Sequence, residues 1–406
     1  MIPICAVISV EIVGRIYHSK IPPFHSADFK KWHIFKVVIA MIKLNGRRVV
    51  IFSEGLFGPV TSKVATSYLR YCSNDCVAVI DSVRDGEDVG DILGYAHGIP
   101  IRKSLAAAMP LDPDVFLIGV GQFSNELPLA WRDQIAQALI AGMDVVSGLH
   151  FRISSDPEFC ALAEKSGAEI WDTKEPPRAL ATNTARLNEL SCFVVHTVGS
   201  DCRVGKKTTA IEITQSALRR GINAGFAATG QSGIYISGNG IAIDAVPSDF
   251  VAGASESLVL NVARDHDWVV VEGQGSISHP AYSGVTLGLL HGAMPQALIL
   301  CHEAKLESHK GWSHVPLRPL NELIATYEYL ASFVRPAHVV GISVHCGHLR
   351  KEEAAEYLSQ IEDETGLPTT DSIHFGVERL VDALVQARHT PPVSRIKTNV
   401  HINIQR

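Results

Sequence analysis

The segment Gly199-Ser-Asp-Cys-Arg-Val-Gly205-Lys206-Lys207-Thr208-Thr209 decides the fold class of this chain. It follows an apolar run at residues 192–198, which predicts a strand, and it leads into a helical pattern at 206–220. A glycine-bearing loop between a strand and a helix forms a phosphate cradle, because its backbone N–H groups and the helix amino terminus point at the anion. Phosphate-binding loops usually have four residues between the glycines, whereas this loop has five.

The side chains of this loop predict how a phosphate is held. A lysine contacts the terminal phosphate oxygens, and a hydroxyl beside it binds Mg²⁺. The sequence leaves open whether Lys206 or Lys207 supplies the ammonium, and whether Thr208 or Thr209 supplies the hydroxyl. The predicted cofactor-binding residues are those of the loop and one glutamine after the next strand: Gly199, Ser200, Asp201, Gly205, Lys206, Lys207, Thr208, Thr209 and Gln231.

An acid at the end of a second apolar strand completes the predicted site. The strand at 268–271 runs into Glu272-Gly-Gln-Gly275. P-loop proteins hold Mg²⁺ with an acid at this position, so Thr208 and Glu272 are the predicted metal ligands. Glu272 is also a candidate catalytic base, and Asp249 and His279 are the other predicted catalytic residues. Asp244 is an alternative to Asp249.

Two domains are predicted from the chain length and the order of the elements. The 406 residues exceed one ordinary core, and strand and helix patterns alternate from residue 46, as in a parallel α/β sheet. Pro176-Pro177 can continue neither kind of element and marks the boundary. The predicted parts are an amino-terminal extension at 1–40, a Rossmann-like domain at 41–176, a P-loop domain at 177–390 and a tail at 391–406.

The apolar runs predict strands in both halves, and we expect site residues where these strands end. Asp81 and His150 follow strands of the first half, and Arg132 can clamp a carboxylate there. The predicted strands are 48–52, 76–81, 115–121, 144–150 and 168–171, then 192–198, 223–228, 268–271, 297–301 and 339–344. The predicted helices are 63–71, 131–141, 157–166, 206–220, 253–264, 320–333 and 351–363.

Composition limits the partners of the chain. Its net charge is −6, from 36 basic and 42 acidic residues without a dense basic block, so nucleic acid is not an expected partner. No apolar run approaches the roughly 20 residues needed to span a membrane, and we expect no membrane partner and a cytoplasmic location. Exposed edge strands and a cleft between the domains lead us to expect a homo-oligomer.

The motifs resemble two groups of enzymes. The phosphate loop and Glu272-Gly-Gln-Gly275 resemble dethiobiotin synthetase, a P-loop amide-forming enzyme with the longer glycine spacing. A fuller similarity, from about residue 48 to 385, is to the D-glutamate N-acetyltransferase (DgcN-like) family. The segments that carry it are Trp131-Arg132, Ser147-Gly-Leu-His150, Pro176-Pro177, Gly205-Lys-Lys-Thr-Thr209, 244–253 and Glu272-Gly-Gln-Gly-Ser276. This similarity implies a Rossmann-like domain, a P-loop domain, and acetyl transfer from acetyl-CoA to the amine of D-glutamate.

Two functions are compatible with these observations. In an N-acetyltransferase the loop would hold the phosphates of acetyl-CoA, and a base would deprotonate the ammonium of a small acidic amino acid. In an ATP-dependent ligase or kinase, Mg²⁺ on Thr208 and Glu272 would help to activate a carboxylate. The loop motif alone favours ATP, and the family resemblance favours acetyl transfer, which needs no Mg²⁺. A non-catalytic nucleotide sensor is a third hypothesis.

Overall fold

The computed structural model describes residues 40–41, 44–121 and 126–389. The predicted extension, apart from Ala40, and the predicted tail lie outside these residues. The strands in chain order are β1 (Ala40–Met41), β2 (Val49–Phe52), β3 (Cys76–Ile80), β4 (Ile101–Arg102), β5 (Val115–Ile118), β6 (Asp144–Ser147), β7 (Ile170–Asp172), β8 (Phe193–Gly199), β9 (Ala224–Ala227), β10 (Asn239–Gly240), β11 (Trp268–Val271), β12 (Ala297–Glu303), β13 (Ser308–His309), β14 (Trp312–Pro316), β15 (His338–His345) and β16 (Thr369–Thr370).

Helices connect these strands and cover the faces of the sheets. The α-helices are α1 (Lys63–Cys72), α2 (Val89–Leu93), α3 (Leu105–Ala108), α4 (Leu129–Ile140), α5 (Pro157–Ser166), α6 (Lys206–Arg219), α7 (Gln231–Ser237), α8 (Val251–Val262), α9 (Ser283–Ala293), α10 (Leu320–Ser332), α11 (Lys351–Thr365) and α12 (Glu378–His389). None of the helices in the described part of the chain combines the length and apolarity that crossing a bilayer requires.

Two six-stranded parallel sheets organise the described residues. The first has the order β4-β3-β2-β5-β6-β7, which runs outward in both directions from β2 as in a Rossmann fold. The second has the order β16-β15-β12-β8-β11-β9. The strands are almost wholly buried because helices pack on both faces. The predicted class of two parallel α/β sheets is confirmed, while the exact domain boundaries stay predictions.

The order of the second sheet positions the site. Strand β8 lies between β11 and β12, and all three run parallel. The loops that follow parallel strands gather at one edge of a sheet, so the loop after β8 is flanked by the segments after β11 and β12. All ten predicted strands exist, with ends shifted by up to three residues.

Several elements were not predicted, and for helix α9 the reason is its glycine content. Helix α9 contains Gly284, Gly288 and Gly292, and glycine disfavours a helix. Its glycines let α8 approach closely, since a Cβ on Gly292 would lie 2.2 Å from the backbone oxygen of Ala252. Tertiary packing therefore stabilises a helix that its own sequence disfavours. Helices α7 and α12, the short strands β4 and β16, and the β13–β14 hairpin were also missed.

Helix α7 of the second half packs against the first half of the chain. Ile234 and Tyr235 of α7 belong to the same apolar cluster as Val49 and Ile51 of the first sheet. Polar contacts accompany this packing: the Tyr235 hydroxyl lies 3.2 Å from Thr173 Oγ1. The carboxyl-terminal ends of the strands in the two sheets consequently face a common region.

The segment that connects the halves constrains helix α8. A Cβ atom on Gly253 would lie 1.7 Å from the backbone oxygen of Ala181, so Gly253→Ala must displace that segment. We expect the variant to lower the free energy of unfolding by about 1–3 kcal/mol, measured by urea denaturation. Gly284→Ala is the matched control, because nothing lies within 4 Å of its added Cβ. A Gly253→Ala variant as stable as that control would contradict this packing.

Candidate functional site

The side chain of Lys206 closes the loop between β8 and α6. Its ammonium donates a hydrogen bond of 2.7 Å to the backbone oxygen of Asp201, and the residue is buried. A Cβ on Gly199 would lie 2.7 Å from this nitrogen, so the absence of a side chain at this position leaves space for the lysine. Gly205 has a φ of +98°, which glycine adopts without strain. The two glycines thus let the lysine lie along the inside of the loop.

The two lysines of the loop point to different partners. The Lys207 ammonium donates to Ser67 Oγ of helix α1, in the other half of the chain. Burial lowers the pKa of Lys207 to about 8, against the opposing effect of the Glu272 charge. Burial also lowers the pKa of Lys206. Because its ammonium lies within the loop itself, Lys206 is the better placed of the two to contact a phosphate.

The carboxylate of Glu272 lies at the end of β11, next to the loop. Its Oε2 accepts the backbone N–H groups of Thr229 at 2.9 Å and Gly230 at 3.1 Å. A Cβ on Gly233 would lie 2.4 Å from the same oxygen, so glycine is required there. Burial raises the pKa of Glu272 to about 7, although Lys207 and the two N–H donors act in the opposite direction. The group is therefore suited to exchange a proton near neutral pH.

The predicted Mg²⁺ ligands, Thr208 and Glu272, stay a prediction, and the loop differs in one respect from a P-loop that binds Mg²⁺. In a P-loop the residue directly after the phosphate lysine carries the Mg²⁺-binding hydroxyl. Here that residue is Lys207, whose charge interacts with that of Glu272. Thr208 follows one residue later and lies beside Tyr71, while the Thr209 hydroxyl faces two serines behind the loop. A fixed ammonium beside the carboxylate disfavours a divalent cation there.

Three side chains form a hydrogen-bonded chain on the other side of the loop. Asp201 Oδ1 accepts from His309 Nδ1 at 2.8 Å, and Asp201 Oδ2 accepts the backbone N–H of Lys310 at 2.8 Å. His309 Nε2 lies 3.4 Å from Ser278 Oγ. Asp201 and His309 are buried, and Ser278 is half-buried. Burial alone would raise the pKa of Asp201, but the bonds from Lys310 and His309 hold it below its usual value.

His279 packs against the same carboxylate. Its Nε2 lies 3.7 Å from Asp201 Oδ1 and has no hydrogen-bond partner among the described residues. Its Nδ1 accepts the backbone N–H of Ala281 at 3.1 Å, so the proton of the neutral ring is on Nε2. Burial lowers the pKa of His279, which favours this neutral form.

Asp201, His279 and His309 are close enough together to suggest a metal centre. A histidine that binds a metal through Nε2 carries its proton on Nδ1. The Nδ1 atom of His279 instead accepts a hydrogen bond from Ala281, which this protonation would exclude. The three residues therefore fit a hydrogen-bonded group better than a metal centre.

A second polar group connects the two halves. Lys174 Nζ donates to Asp244 Oδ2 at 2.9 Å and lies 3.1 Å from His150 Nε2. Lys174 is 9% exposed, and Asp244 also acts electrostatically on Glu272. His150 and Asp244, both candidates from the sequence, are thus brought together across the two sheets by a lysine that the sequence did not indicate.

Cations surround the outer rim of the loop. Lys63, at the start of α1, is exposed as a residue, but its ammonium loses hydration against protein atoms. This effect and repulsion from Arg203 and Lys310 lower the pKa of Lys63 to about 7. The Lys310 ammonium donates to the backbone oxygen of Arg203 at 3.2 Å. An anion bound at the rim would relieve the repulsion among these charges.

The remaining predicted residues lie in varied surroundings. Ser200 is buried and shares a hydrogen bond with His302 of β12, and Gln231 begins α7. Asp249 is exposed in a turn before α8, and no hydrogen bond or ion pair links it to the loop within residues 44–121 and 126–389. Arg132 is not free to clamp a ligand, because it pairs with two carboxylates at the start of α5. The Asp81 carboxylate accepts two backbone N–H groups within its own half.

Sequence reasoning missed Ser278 and His309. His309 is 108 residues away from Asp201, and nothing in the short hairpin that carries it marks it as functional. Ser278 directly precedes the predicted residue His279, but no sequence pattern indicated the serine itself. Only the fold brings the serine, histidine and aspartate together.

The chain matches two family descriptions. The Rossmann-like domain of unknown function DUF1611_N covers residues 82–176, and the P-loop domain of unknown function DUF1611_C covers residues 180–381. A protein of Tritonibacter scottomollicae named D-glutamate N-acetyltransferase is 39% identical over 286 residues, which is 70% of this chain and 84% of the relative. A protein of the same name from Pseudoalteromonas sp. is 36% identical over 279 residues, 68% of this chain and 83% of the relative.

A solved structure has the same architecture. The crystal structure of a DUF1611 family protein from Anabaena variabilis superposes with a TM-score of 0.80 at 37% sequence identity. The match covers 84% of this chain and 99% of the other. The arrangement of a Rossmann-like sheet followed by a P-loop sheet is therefore shared by both proteins.

The loop geometry predicts unequal effects of its lysines on anion binding. Lys206→Ala should weaken the binding of inorganic pyrophosphate by about 10-fold or more, since a charged hydrogen bond contributes roughly 1.5–3 kcal/mol. Lys207→Ala should have a smaller effect, because its ammonium is directed to Ser67. Isothermal titration calorimetry measures both, with Lys305→Ala, an exposed lysine paired with Glu353, as the control. A greater loss in Lys207→Ala would reverse the assignment.

Proposed function

The chain belongs to the D-glutamate N-acetyltransferase family and is an N-acetyltransferase, and we propose that it moves the acetyl group of acetyl-CoA to the amine of D-glutamate. The observation that carries this proposal is the residue that follows Lys206. Lys207 stands where an ATP-dependent P-loop enzyme has its Mg²⁺-binding hydroxyl. A thioester donor is already activated and requires no metal, whereas phosphoryl transfer from ATP depends on one.

The P-loop in this proposal binds the pyrophosphate of CoA. Lys206 and the amino terminus of α6 supply positive charge and N–H donors to it. Two cations at the rim, Lys63 and Arg203, are proposed to contact the additional phosphate on the ribose of CoA, whereas the nearby Lys310 already pairs with Glu303. Binding energy from these distant phosphates positions the thioester for reaction.

Glu272 is the proposed base for the acceptor. An amino acid is an ammonium ion at neutral pH, and only its neutral amine attacks a thioester. The pKa of Glu272, raised by burial to about 7, lets this carboxylate take a proton from the ammonium without being too weak a base. Lys207, coupled to it electrostatically, keeps enough of the carboxylate ionised.

The acceptor is proposed to bind where the edges of the two sheets meet. D-Glutamate carries two carboxylates and one ammonium, and this region offers both charge signs. Lys174 and Lys207 can contact carboxylates, and Asp244 and Glu272 can attract the ammonium. Lys174 already pairs with Asp244, so a substrate carboxylate would add to an existing ion pair rather than meet a bare cation.

A pair of parallel assays tests the proposal. The purified protein is mixed with acetyl-CoA and D-glutamate, and free thiol is followed, while a second sample receives Mg·ATP and is followed for phosphate. We expect CoA release that depends on D-glutamate, a product 42 mass units heavier than the acceptor as set by acetyl addition, and no effect of EDTA. Phosphate release that depends on a carboxylate acceptor, or loss of activity in EDTA, would contradict it. L-Glutamate in place of the D form tests the stereochemistry.

The base assignment predicts a specific pH profile. Because Glu272 must be ionised to accept a proton, kcat/KM should fall as the pH drops below about 7 and level off above it. Glu272→Gln should lower kcat by roughly 10²–10⁴-fold and remove this limb of the profile. Asp249→Asn, an exposed acid outside the cluster, is the comparison. If Asp249→Asn rather than Glu272→Gln removes the limb, the base is Asp249.

A further inference from the structure

The chain Asp201–His309–Ser278 has the geometry of an activated serine nucleophile. We propose that Ser278 takes the acetyl group from acetyl-CoA and passes it to the acceptor, so that transfer proceeds through an acetyl-serine intermediate. This inference rests on the proposed function, since it specifies how that same acetyl group moves. Neither the family descriptions nor the names of the relatives assign a role to these residues.

The hydrogen bonds fix the direction in which His309 acts. The ionised Asp201 accepts from Nδ1, so this atom carries the ring proton and Nε2 keeps its lone pair. That lone pair faces Ser278 Oγ at 3.4 Å, a distance that is long for a hydrogen bond but common for a nucleophile and its base before substrate binds. The buried carboxylate holds the ring in this tautomer, as in the serine–histidine–aspartate arrangement.

Burial distinguishes the residue of this hydrogen-bonded group that can react from the two that support it. Asp201 is 0% exposed and His309 is 1% exposed, so neither can contact a substrate directly. Ser278 is half-buried, so of the three residues it is the one that a substrate can reach. The Ser278 hydroxyl also lies 3.2 Å from Ser276 Oγ, so it has a second partner besides His309 before a substrate binds.

The position of the serine fits the phosphate loop. Asp201 belongs to the loop itself, and its backbone oxygen accepts the Lys206 ammonium. Ser276, two residues before Ser278, donates to the backbone oxygen of Ser200 at 3.1 Å. Ser278 is thus connected to the beginning of the loop through Ser276, and to Lys206 through His309 and Asp201. A donor whose pyrophosphate lies in the loop would bring its flexible arm into the part of the molecule that holds this serine.

The two halves of the reaction balance. Ser278 Oγ attacks the thioester carbonyl as His309 Nε2 takes its proton; the carbon–sulfur bond breaks, and the thiolate leaves as CoA thiol with that proton. The neutral amine, which has lost a proton to Glu272, then attacks the ester carbonyl and gives a second proton to His309. The carbon–oxygen bond breaks, and Ser278 recovers its proton from His309. Asp201 stabilises the imidazolium in both halves without changing its own charge.

Glu272 and Ser278 act on different atoms in the same acetyl transfer: Glu272 takes a proton from the amine, and Ser278 carries the acetyl group. They are the first and last residues of one segment, 272–278, which crosses the end of β8. Along it, Gly273 N–H donates to Thr197 Oγ1 at 2.9 Å, and a Cβ at Gly273 would lie 1.7 Å from the Thr197 backbone oxygen. This close contact presses the segment against the loop, with the base at one end and the acyl carrier at the other.

The test uses the full-length enzyme with radiolabelled acetyl-CoA and no acceptor. We expect a burst of about one CoA per chain, a chain heavier by one acetyl group after acid quench, and the label in the peptide that contains Ser278. Adding acceptor should discharge the label, and initial rates with both substrates should give the parallel lines of a ping-pong mechanism. Ser278→Ala should abolish the burst and lower kcat by about 10³-fold.

Two further variants separate catalysis from folding. His309→Gln, whose amide can still donate to Asp201, should slow the burst because it cannot accept the serine proton, and a melting temperature measured in parallel separates this effect from unfolding. Ser278→Cys, which keeps a nucleophile of similar size, should still acquire the label. Ser332→Ala, an exposed serine at the end of α10, should behave as the wild type.

The outcomes distinguish this inference from the proposed function. Turnover with D-glutamate in Ser278→Ala within 10-fold of the wild-type rate, or intersecting lines without a labelled serine, overturns the acetyl-serine and leaves the acetyltransferase intact. A burst on Ser278 without turnover of D-glutamate supports the intermediate and overturns the proposed acceptor. Neither a burst nor turnover with acetyl-CoA overturns both.

Discussion

The buried carboxylate of Asp201 is the constraint on which the site depends. It is fully enclosed and ionised, so the structure must supply it with donors, and these come from the β13–β14 hairpin through His309 and the N–H of Lys310. The backbone oxygen of the same residue fixes the ammonium of Lys206. One residue thereby ties the phosphate loop to the hairpin. Without the carboxylate, the buried His309 and the N–H of Lys310 would lose their acceptor, while the backbone oxygen would still accept from Lys206.

The overall fold was largely predictable because its strands are nearly continuous apolar runs. A run such as Trp268–Val271 can be buried on both faces only in a sheet covered by helices, and the strand–loop–helix context of Gly199 identifies the type of sheet. The elements that escaped prediction are those that neighbouring elements stabilise. Helix α9 forms because its glycines allow contact with α8, and that contact is a property of two segments rather than of one.

The candidate site was predictable only where its residues are adjacent in the sequence. The loop lysines and Glu272 follow strands and carry a local pattern, so they were identified, although not the different directions of Lys206 and Lys207. The donors to the Asp201 carboxylate come from the β13–β14 hairpin, which follows β12 and lies near the loop because β12 is next to β8, an order that no local pattern encodes. Glu272 needed the structure for a different reason: its pKa is raised by burial, which only the folded chain produces.

The hydrogen bonds between helices α1 and α6 have a consequence for how this protein can be recombined. Lys207 of α6 donates to Ser67, and Tyr71 of α1 donates to Glu212 of α6 at 2.9 Å. The helix that begins at the phosphate loop is therefore matched in detail to a helix encoded in the other half of the chain. A chimera that joined this P-loop half to the Rossmann-like half of a relative would lose these two hydrogen bonds unless the relative's half also carried the serine and the tyrosine.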